Sequence, residues 1–268
     1  QPRPWTQEPA GSLLAASRVR QNLEAALASH FDLPTLLHVV LDPSRYPSFD
    51  ADLRDAMDHE SREFLAQTAW TAPLTELVTS RRTRVNAGLA AIYGVTLPAN
   101  VDARGFAPVE LPDARAGILT QAGFLVARAR PDGPSVVGRG LWVVQALLCQ
   151  DAPPSPEFEQ ETMPQPSPMT AREQAESRMA AAPCAGCHVE FDPYGLALDG
   201  LDALGALRSV DDEGSPIDTA VDLPAALGGV HVQGARELAG AIVARGRFTA
   251  WLAERFTVLH YDRRGRGG

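Results

Sequence analysis

The sequence predicts a mainly α-helical protein, in which an N-terminal helical unit is joined by a proline-rich linker to a smaller C-terminal helical domain. Apolar residues recur at helical spacing through most of the 268-residue chain, and this length permits two ordinary domains. The stretch from Pro153 to Pro168 holds six prolines, too many for a helix or a central strand. We therefore expect a helical domain over 1–150, an extended linker over 151–169 and a second domain over 170–268.

The N-terminal unit is predicted to consist of successive helices. In the second of them Leu53, Met57 and Phe64 fall on one face, and Ser48 or Asp50 is placed to cap it. Gly94 is placed to end the third helix, and the turn-forming sequence RPDGPS separates the last two. The predicted helices cover residues 13–31, 50–70, 80–94, 115–128 and 136–148.

The C-terminal domain is predicted to begin with a capped helix. Thr170 and Glu173 form a capping-box pattern, which starts a helix that leads towards the sequence CAGCH. Further along, DPYG is typical of a turn and SVDDEGSPIDTAVDLP of a loop or short strand. The segments GARELAGAIVAR and FTAWLAERFTVLHY have helical periodicity, so the end of the chain is predicted to be helical as well.

Composition and charge exclude several classes of protein. Hydrophobic residues make up 45% and charged residues 21% of the chain, as in folded globular proteins. The net charge is −9, and the basic residues form no run except the closing RRGRGG, so a nucleic acid or an anionic membrane is not the expected partner. The longest apolar stretches are too short to span a bilayer. The opening QPRPWTQEPAGS lacks a signal pattern, so we expect any export signal to have been removed or never present.

The sequence CAGCH carries the main chemical signal. The chain has three cysteines, and two of them, Cys184 and Cys187, stand directly before His188 in a C-x-x-C-H arrangement. This spacing is typical of c-type haem attachment, in which two thiols add to the vinyl groups and the adjacent imidazole binds the iron. The motif predicts one covalently bound haem c, with His188 as the proximal iron ligand.

Three other readings of the motif are weaker. A structural zinc site needs four ligands at set spacings, and the sequence has no second C-x-x-C and no H-x-x-x-H. A thioredoxin-like redox pair normally follows a strand, whereas a predicted helix and Pro183 precede this one. Two unmodified core cysteines would leave His188 unexplained.

The segment CAGCHVEFDPYGLALDGLDALGALR resembles a pattern of the planctomycete-type cytochrome-c-like multidomain proteins, which are exported c-type haem proteins built from domains of unknown function. Upstream segments such as LTELVTSRRTRVNAGLAAIYGV and RAGILTQAGFLVARARPDGPSVVGRGLWVVQALL are similar to that family's segments in the same order, and the likeness covers about residues 13–266. The resemblance implies a cytochrome-c-like C-terminal domain. Family members usually carry further domains before the point where this chain begins, which leaves a fragment, a short relative and one subunit of something larger as the expectations for this chain.

The chain departs from the family pattern at three positions. Asp199 stands where the family usually has Glu, and Leu207 where an aromatic residue commonly precedes Arg208. Many relatives with a cysteine at the position of Cys149 have a second one near the final helix, and this chain does not. We therefore expect Cys149 to be a buried thiol, with an intermolecular disulfide or a haem contact as the alternatives.

Several further residues are candidates for the haem environment. The carbonyl of Pro193, or of a neighbouring residue, is a candidate acceptor for the imidazole N–H. Arg208 is a candidate partner for a haem propionate, with a solvated surface arginine as the alternative. All four methionines precede the motif, and the sixth iron ligand stays open among Met179, Met163, Met169, His231 and His260.

Together these patterns predict a mono-haem c-type cytochrome that transfers electrons. Haem attachment takes place beyond the cytoplasmic membrane, so the expected location is periplasmic or extracellular. The expected partner is a redox protein or a larger membrane-associated complex. The alternatives are a haem enzyme of peroxidase or oxidase type, with an open sixth iron position, and a mainly structural subunit of a respiratory or photosynthetic complex.

Overall fold

Helices dominate the computed structural model, which describes residues 17–151 and 169–254 and confirms the predicted mainly α class. The helices are α1 (Ser17–His30), α2 (Ala51–Thr71), α3 (Glu76–Thr79), α4 (Ala87–Tyr93), α5 (Ala122–Val126), α6 (Val136–Trp142), α7 (Ala171–Ala180), α8 (Ala185–His188), α9 (Asp192–Ala197) and α10 (Gly234–Ala244). Residues 247–254 are also helical. The strands are β1 (Arg82–Val85), β2 (Ala107–Glu110), β3 (Ala220–Asp222) and β4 (His231–Gln233), and 3-10 turns cover Leu33–His38, Gly117–Thr120 and Ala225–Leu227.

The long helix α2 is the scaffold of the N-terminal part. The Asp50 side chain accepts a hydrogen bond of 2.8 Å from the Leu53 amide, which confirms Asp50 as the N-cap. The expected apolar face, which includes Met57 and Phe64, is buried. It packs against α1, α4, α5 and β1, so one amphipathic helix holds the surrounding short elements in place.

The predicted helix over 80–94 is wrong in its first half. Residues 82–85 form β1, which pairs antiparallel with β2 in the register Arg82↔Glu110 to Val85↔Ala107. Thr83 and Val85 are buried, whereas the side chains of Arg82 and Arg84 are not. This alternation is typical of a strand with one covered face. The second half is confirmed: α4 ends at Gly94, which adopts a left-handed φ of 67°.

The predicted helix over 115–128 is broken into a 3-10 turn and the short helix α5. Gly117 explains the break, because its φ is +44° and a Cβ there would overlap the carbonyl oxygen of Leu77. Helix α6 begins as expected, with the Ser135 hydroxyl accepting a bond of 3.0 Å from the Gly138 amide. A π-helical turn, Val143–Leu147, continues it.

The two parts of the chain share one hydrophobic core, which corrects the expectation of a separately packed N-terminal unit. Helix α9 of the C-terminal part packs directly on α6 of the N-terminal part. The contact depends on two glycines: a Cβ on Gly140 would overlap the Phe191 carbonyl oxygen, and a Cβ on Gly195 would overlap that of Val136. Most of the buried hydrophobic side chains form a single cluster that extends from Leu27 to Leu252. The predicted linker lies almost wholly in residues 152–168, outside the described residues.

Arg139 ties the two parts together through backbone hydrogen bonds. Its side chain is buried on α6 and donates to the carbonyl oxygens of Leu198, Leu201 and Asp202 at 2.9, 2.7 and 2.6 Å. Burial lowers the pKa of Arg139 to about 10, which leaves the guanidinium charged at neutral pH. The segment that follows α9 is therefore held by a cation from the other half of the chain.

The C-terminal part contains the capped helix and a second hairpin. The predicted capping box of Thr170 and Glu173 is present at the start of α7. Strands β3 and β4 pair antiparallel, with Asp222 opposite His231, and α10 follows β4 directly. Within residues 17–151 and 169–254 no helix is long and apolar enough to cross a membrane.

Candidate functional site

The C-x-x-C-H motif forms a single helical turn. Helix α8 begins directly after Cys184 and contains both Cys187 and His188. Cys184 and Cys187 carry free thiols and are half-buried, so neither is bonded to Cys149. Residues three apart on a helix lie on the same side, so both thiols are presented together beside the imidazole. Attachment of a haem through these two thiols stays a prediction.

The His188 imidazole is oriented by a buried carboxylate. Its Nδ1 lies 3.1 Å from Oδ2 of Asp192, whose side chain is fully buried, while 19% of the His188 side chain is exposed. The Phe191 ring packs against the imidazole with its centroid 4.8 Å away. A carboxylate only accepts hydrogen bonds, so the imidazole donates from Nδ1 and keeps the Nε2 lone pair for a metal ion.

Arg178 on α7 binds the same carboxylate oxygen. Its Nε and one terminal nitrogen each lie 3.0 Å from Oδ2 of Asp192, and 24% of its side chain is exposed. The second oxygen of Asp192, Oδ1, is buried without a hydrogen-bond partner among the described residues. One oxygen atom therefore joins His188 to Arg178, and α7, α8 and α9 converge on it.

The structure also shows the contacts of the sequence-based candidates Pro193 and Arg208. Pro193 is buried in the first turn of α9, and the imidazole contacts the carboxylate of its neighbour Asp192 rather than a proline carbonyl. Arg208 forms a 2.7 Å ion pair with the side chain of Asp199 and donates from Nε to its carbonyl oxygen at 3.0 Å. Arg208 thus already has a carboxylate partner, and its contact with a propionate stays a prediction.

The candidates for the sixth iron ligand fall in different places. Met179 lies on α7, which packs against α8, and is partly buried against the core. Met169 lines a cavity of about 210 Å³ together with Arg178 and Arg208. His231 on β4 is exposed, with its Nδ1 2.9 Å from Oδ1 of Asp222. The remaining candidates, Met163 and His260, lie outside the described residues, and the choice among the five stays open.

Among the described residues, the motif is not part of a convergent set of metal ligands, and the covalent haem stays a prediction. Among the residues that the structure describes, no three His, Cys, Asp or Glu side chains converge on a point where an ion could sit. A zinc site needs such convergence, whereas haem attachment needs only one imidazole at the iron and two thiols at the porphyrin edge. The element before the motif is helix α7, so a thioredoxin-like arrangement is not observed either.

Sequence reasoning missed Asp192 and Arg178, although a signal for Asp192 was available. Asp192 stands four residues after His188, the spacing at which two side chains meet across one helical turn. Arg178 is 14 residues from Asp192, and nothing in its local sequence connects the two. Only the packing of α7 on α8 and α9 brings its guanidinium to the site.

A second buried polar cluster lies in the N-terminal part. Glu60 accepts hydrogen bonds from the hydroxyls of Thr83 and Tyr93, at 2.8 and 2.6 Å. The Tyr93 hydroxyl accepts one of 2.8 Å from the Ala122 amide, and the Arg115 guanidinium lies 4.4 Å from the centre of the Tyr93 ring. Burial raises the pKa of Glu60 from 4.5 to about 7, although these hydrogen bonds and Arg115 act in the opposite direction.

Two family models match the chain. Residues 5–95 match PSD4, a protein of unknown function (DUF1592), and residues 115–211 match PSCyt3, a protein of unknown function (DUF1588). The second match crosses the proline-rich stretch and contains the C-x-x-C-H motif. No curated protein and no solved structure matches the chain. The two matches fit a multidomain protein of unknown function, and the name PSCyt3 points to cytochrome-like families.

Proposed function

We propose that this chain carries one haem c, attached to Cys184 and Cys187 with His188 as proximal ligand, and that it transfers electrons outside the cytoplasm as part of a larger assembly. The observation that carries the proposal is the helical turn α8. It carries two free thiols and an imidazole whose Nδ1 is held by a buried carboxylate, which leaves Nε2 as the nitrogen that would bind the iron. When bound, haem supplies a one-electron iron couple.

The attachment step uses only the two thiols. Cys184 and Cys187 would hold the haem through two thioethers: each S–H would add across one vinyl group, its sulfur bonding to one vinyl carbon and its proton going to the other as the C=C bond becomes single. This addition needs no external oxidant or reductant. Both cysteines are half-buried, so neither residue is enclosed in the core. Such attachment is carried out beyond the cytoplasmic membrane, and this motivates the proposed periplasmic or extracellular location.

Electron transfer is favoured over catalysis by the residues of the chain itself. The candidates for the sixth position include methionine and histidine side chains, and one of these bound to the iron would close it to substrates. The net charge of −9 suits docking to a basic surface of a redox partner. The match to two consecutive family models motivates the larger assembly.

A haem enzyme with an open sixth position is the second candidate, and the Asp192 contact favours it. A proximal imidazole that donates to a carboxylate is a stronger electron donor, which stabilises the higher oxidation states of iron. Such a ligand serves catalysis as well as low-potential electron transfer, so the coordination of the iron decides between the two.

The test is mass spectrometry and optical spectroscopy of the exported protein. We expect the denatured wild type to keep the mass of one haem and the double variant C184S/C187S to have none. The matched control C149S should keep it, because Cys149 is not part of the motif. An unmodified wild-type chain from exported material would contradict the attachment. Ferrous protein that fails to bind carbon monoxide supports electron transfer, and ready binding supports the enzyme.

A further inference from the structure

The contact between Asp192 and Arg178 has a consequence for the redox properties of the site. We infer that Asp192 and Arg178 are positioning residues that act through His188 in opposite directions, the carboxylate lowering and the guanidinium raising the reduction potential. The inference rests on the proposed haem attachment. It goes beyond that attachment because it assigns the control of the potential to two residues that touch neither the thiols nor the iron.

The packing of α9 on α6 fixes the position of Asp192. It is the first residue of α9, and α9 is clamped on α6 by the close contacts of Gly195 and Gly140. Its side chain is fully buried, and the hydrogen bonds that it accepts from the described residues fall on Oδ2. A buried carboxylate paired with a guanidinium keeps its charge more readily than an unpaired one, and here that charge would lie directly behind the imidazole.

The effect of the carboxylate follows from where the charge lies. A hydrogen bond from Nδ1 to a carboxylate moves electron density into the imidazole and makes Nε2 a stronger donor, which favours ferric over ferrous iron. A neutral backbone carbonyl in the place of the carboxylate would move less electron density into the imidazole. The low dielectric around a fully buried group makes this influence larger than that of a surface charge.

Arg178 opposes this effect because it competes for the same oxygen atom. Two of its nitrogens lie 3.0 Å from Oδ2, and its positive charge draws electron density away from the imidazole. Its side chain also lines the cavity of about 210 Å³, so the guanidinium is reached by solvent while Asp192 is not. The partly exposed guanidinium of Arg178 therefore weakens the effect of the buried Asp192 carboxylate on the imidazole of His188.

The first experiment measures reduction potentials of the intact haem protein. We expect D192N to shift the ferric–ferrous equilibrium at least tenfold towards ferrous iron, which is about 59 mV for one electron. R178Q should shift it in the opposite direction. E190Q is the matched control: Glu190 is exposed and two residues from Asp192, so its loss should change the potential much less. Shifts of equal sign in D192N and R178Q, or shifts no larger than that of E190Q, would overturn the inference.

The second experiment separates failure of this inference from failure of haem attachment. In the haem-free variant C184S/C187S, nitrogen NMR reports which ring nitrogen of His188 carries the proton. We expect Nδ1, and a mixed population once D192N is added. Protonation at Nε2 with Asp192 present would show that the carboxylate does not position the ring. If D192N does not fold, R178Q alone tests the sign of the effect, because Arg178 is partly exposed.

Discussion

Replacement of Glu60 by glutamine should remove the pH dependence of stability that arises from burial of this carboxyl in the N-terminal part. The carboxyl is fully buried, with its pKa raised from 4.5 to about 7. The folded state binds this proton more tightly than the unfolded chain does. The contribution of this proton to stability is therefore fully present below about pH 4.5 and is lost as the pH rises through about 7. One pKa unit corresponds to about 1.4 kcal/mol, so the loss is roughly 3 kcal/mol.

Glutamine is the appropriate substitute because it keeps the shape and both contacts of Glu60. Its amide oxygen accepts from one of the two hydroxyls, and its NH₂ group donates to the other, since the hydroxyls of Thr83 and Tyr93 can each accept as well as donate. E60Q should therefore differ from the wild type by at most about 1 kcal/mol at pH 5. At pH 8 it should be more stable than the wild type by about 2–3 kcal/mol, since the wild type then holds a buried charge.

Urea unfolding at pH 5 and pH 8, followed by circular dichroism, measures both differences. All other titrating groups cancel when E60Q is compared with the wild type at each pH. The control E213Q alters an exposed carboxylate and should leave the difference between the two pH values unchanged. If the stability difference between E60Q and the wild type is the same at both pH values, Glu60 is not held protonated by burial and the reasoning fails.

Three further substitutions test the packing and the helix caps by the same unfolding measurement. G195A should cost about 3 kcal/mol because the new methyl group overlaps backbone on α6, whereas G240A, which meets nothing within 4 Å on α10, should be neutral or stabilising; equal effects would contradict the close contact. R139M should cost about 3 kcal/mol through the loss of three hydrogen bonds to carbonyl oxygens, and a cost near zero would show that they contribute nothing. D50A should cost about 1 kcal/mol and D52A clearly less, because only Asp50 caps α2.

Local interactions explain what the sequence alone was able to predict. The capping box at Thr170, the N-cap at Asp50 and the left-handed stop at Gly94 each involve residues within four positions of one another. The haem interpretation of CAGCH is equally local, because it uses only the spacing of two thiols and an imidazole on one turn, and it stays a prediction. These features predicted the mainly α class and the location of the candidate site.

Contacts between residues far apart in the sequence determine the features that the sequence did not predict. Residues 82–85 have a helical pattern in isolation but form a strand because residues 107–110 pair with them. The shared core required two glycines, one on each side of the proline-rich stretch, to let α6 and α9 approach closely. The charge behind His188 has the same origin: Asp192 is one helical turn away, but Arg178 reaches it only because α7 packs on α9. The sequence places these side chains along the chain, but only the tertiary structure determines which of them come into contact. The reason is that burial and charge compensation depend on neighbours from other helices and strands.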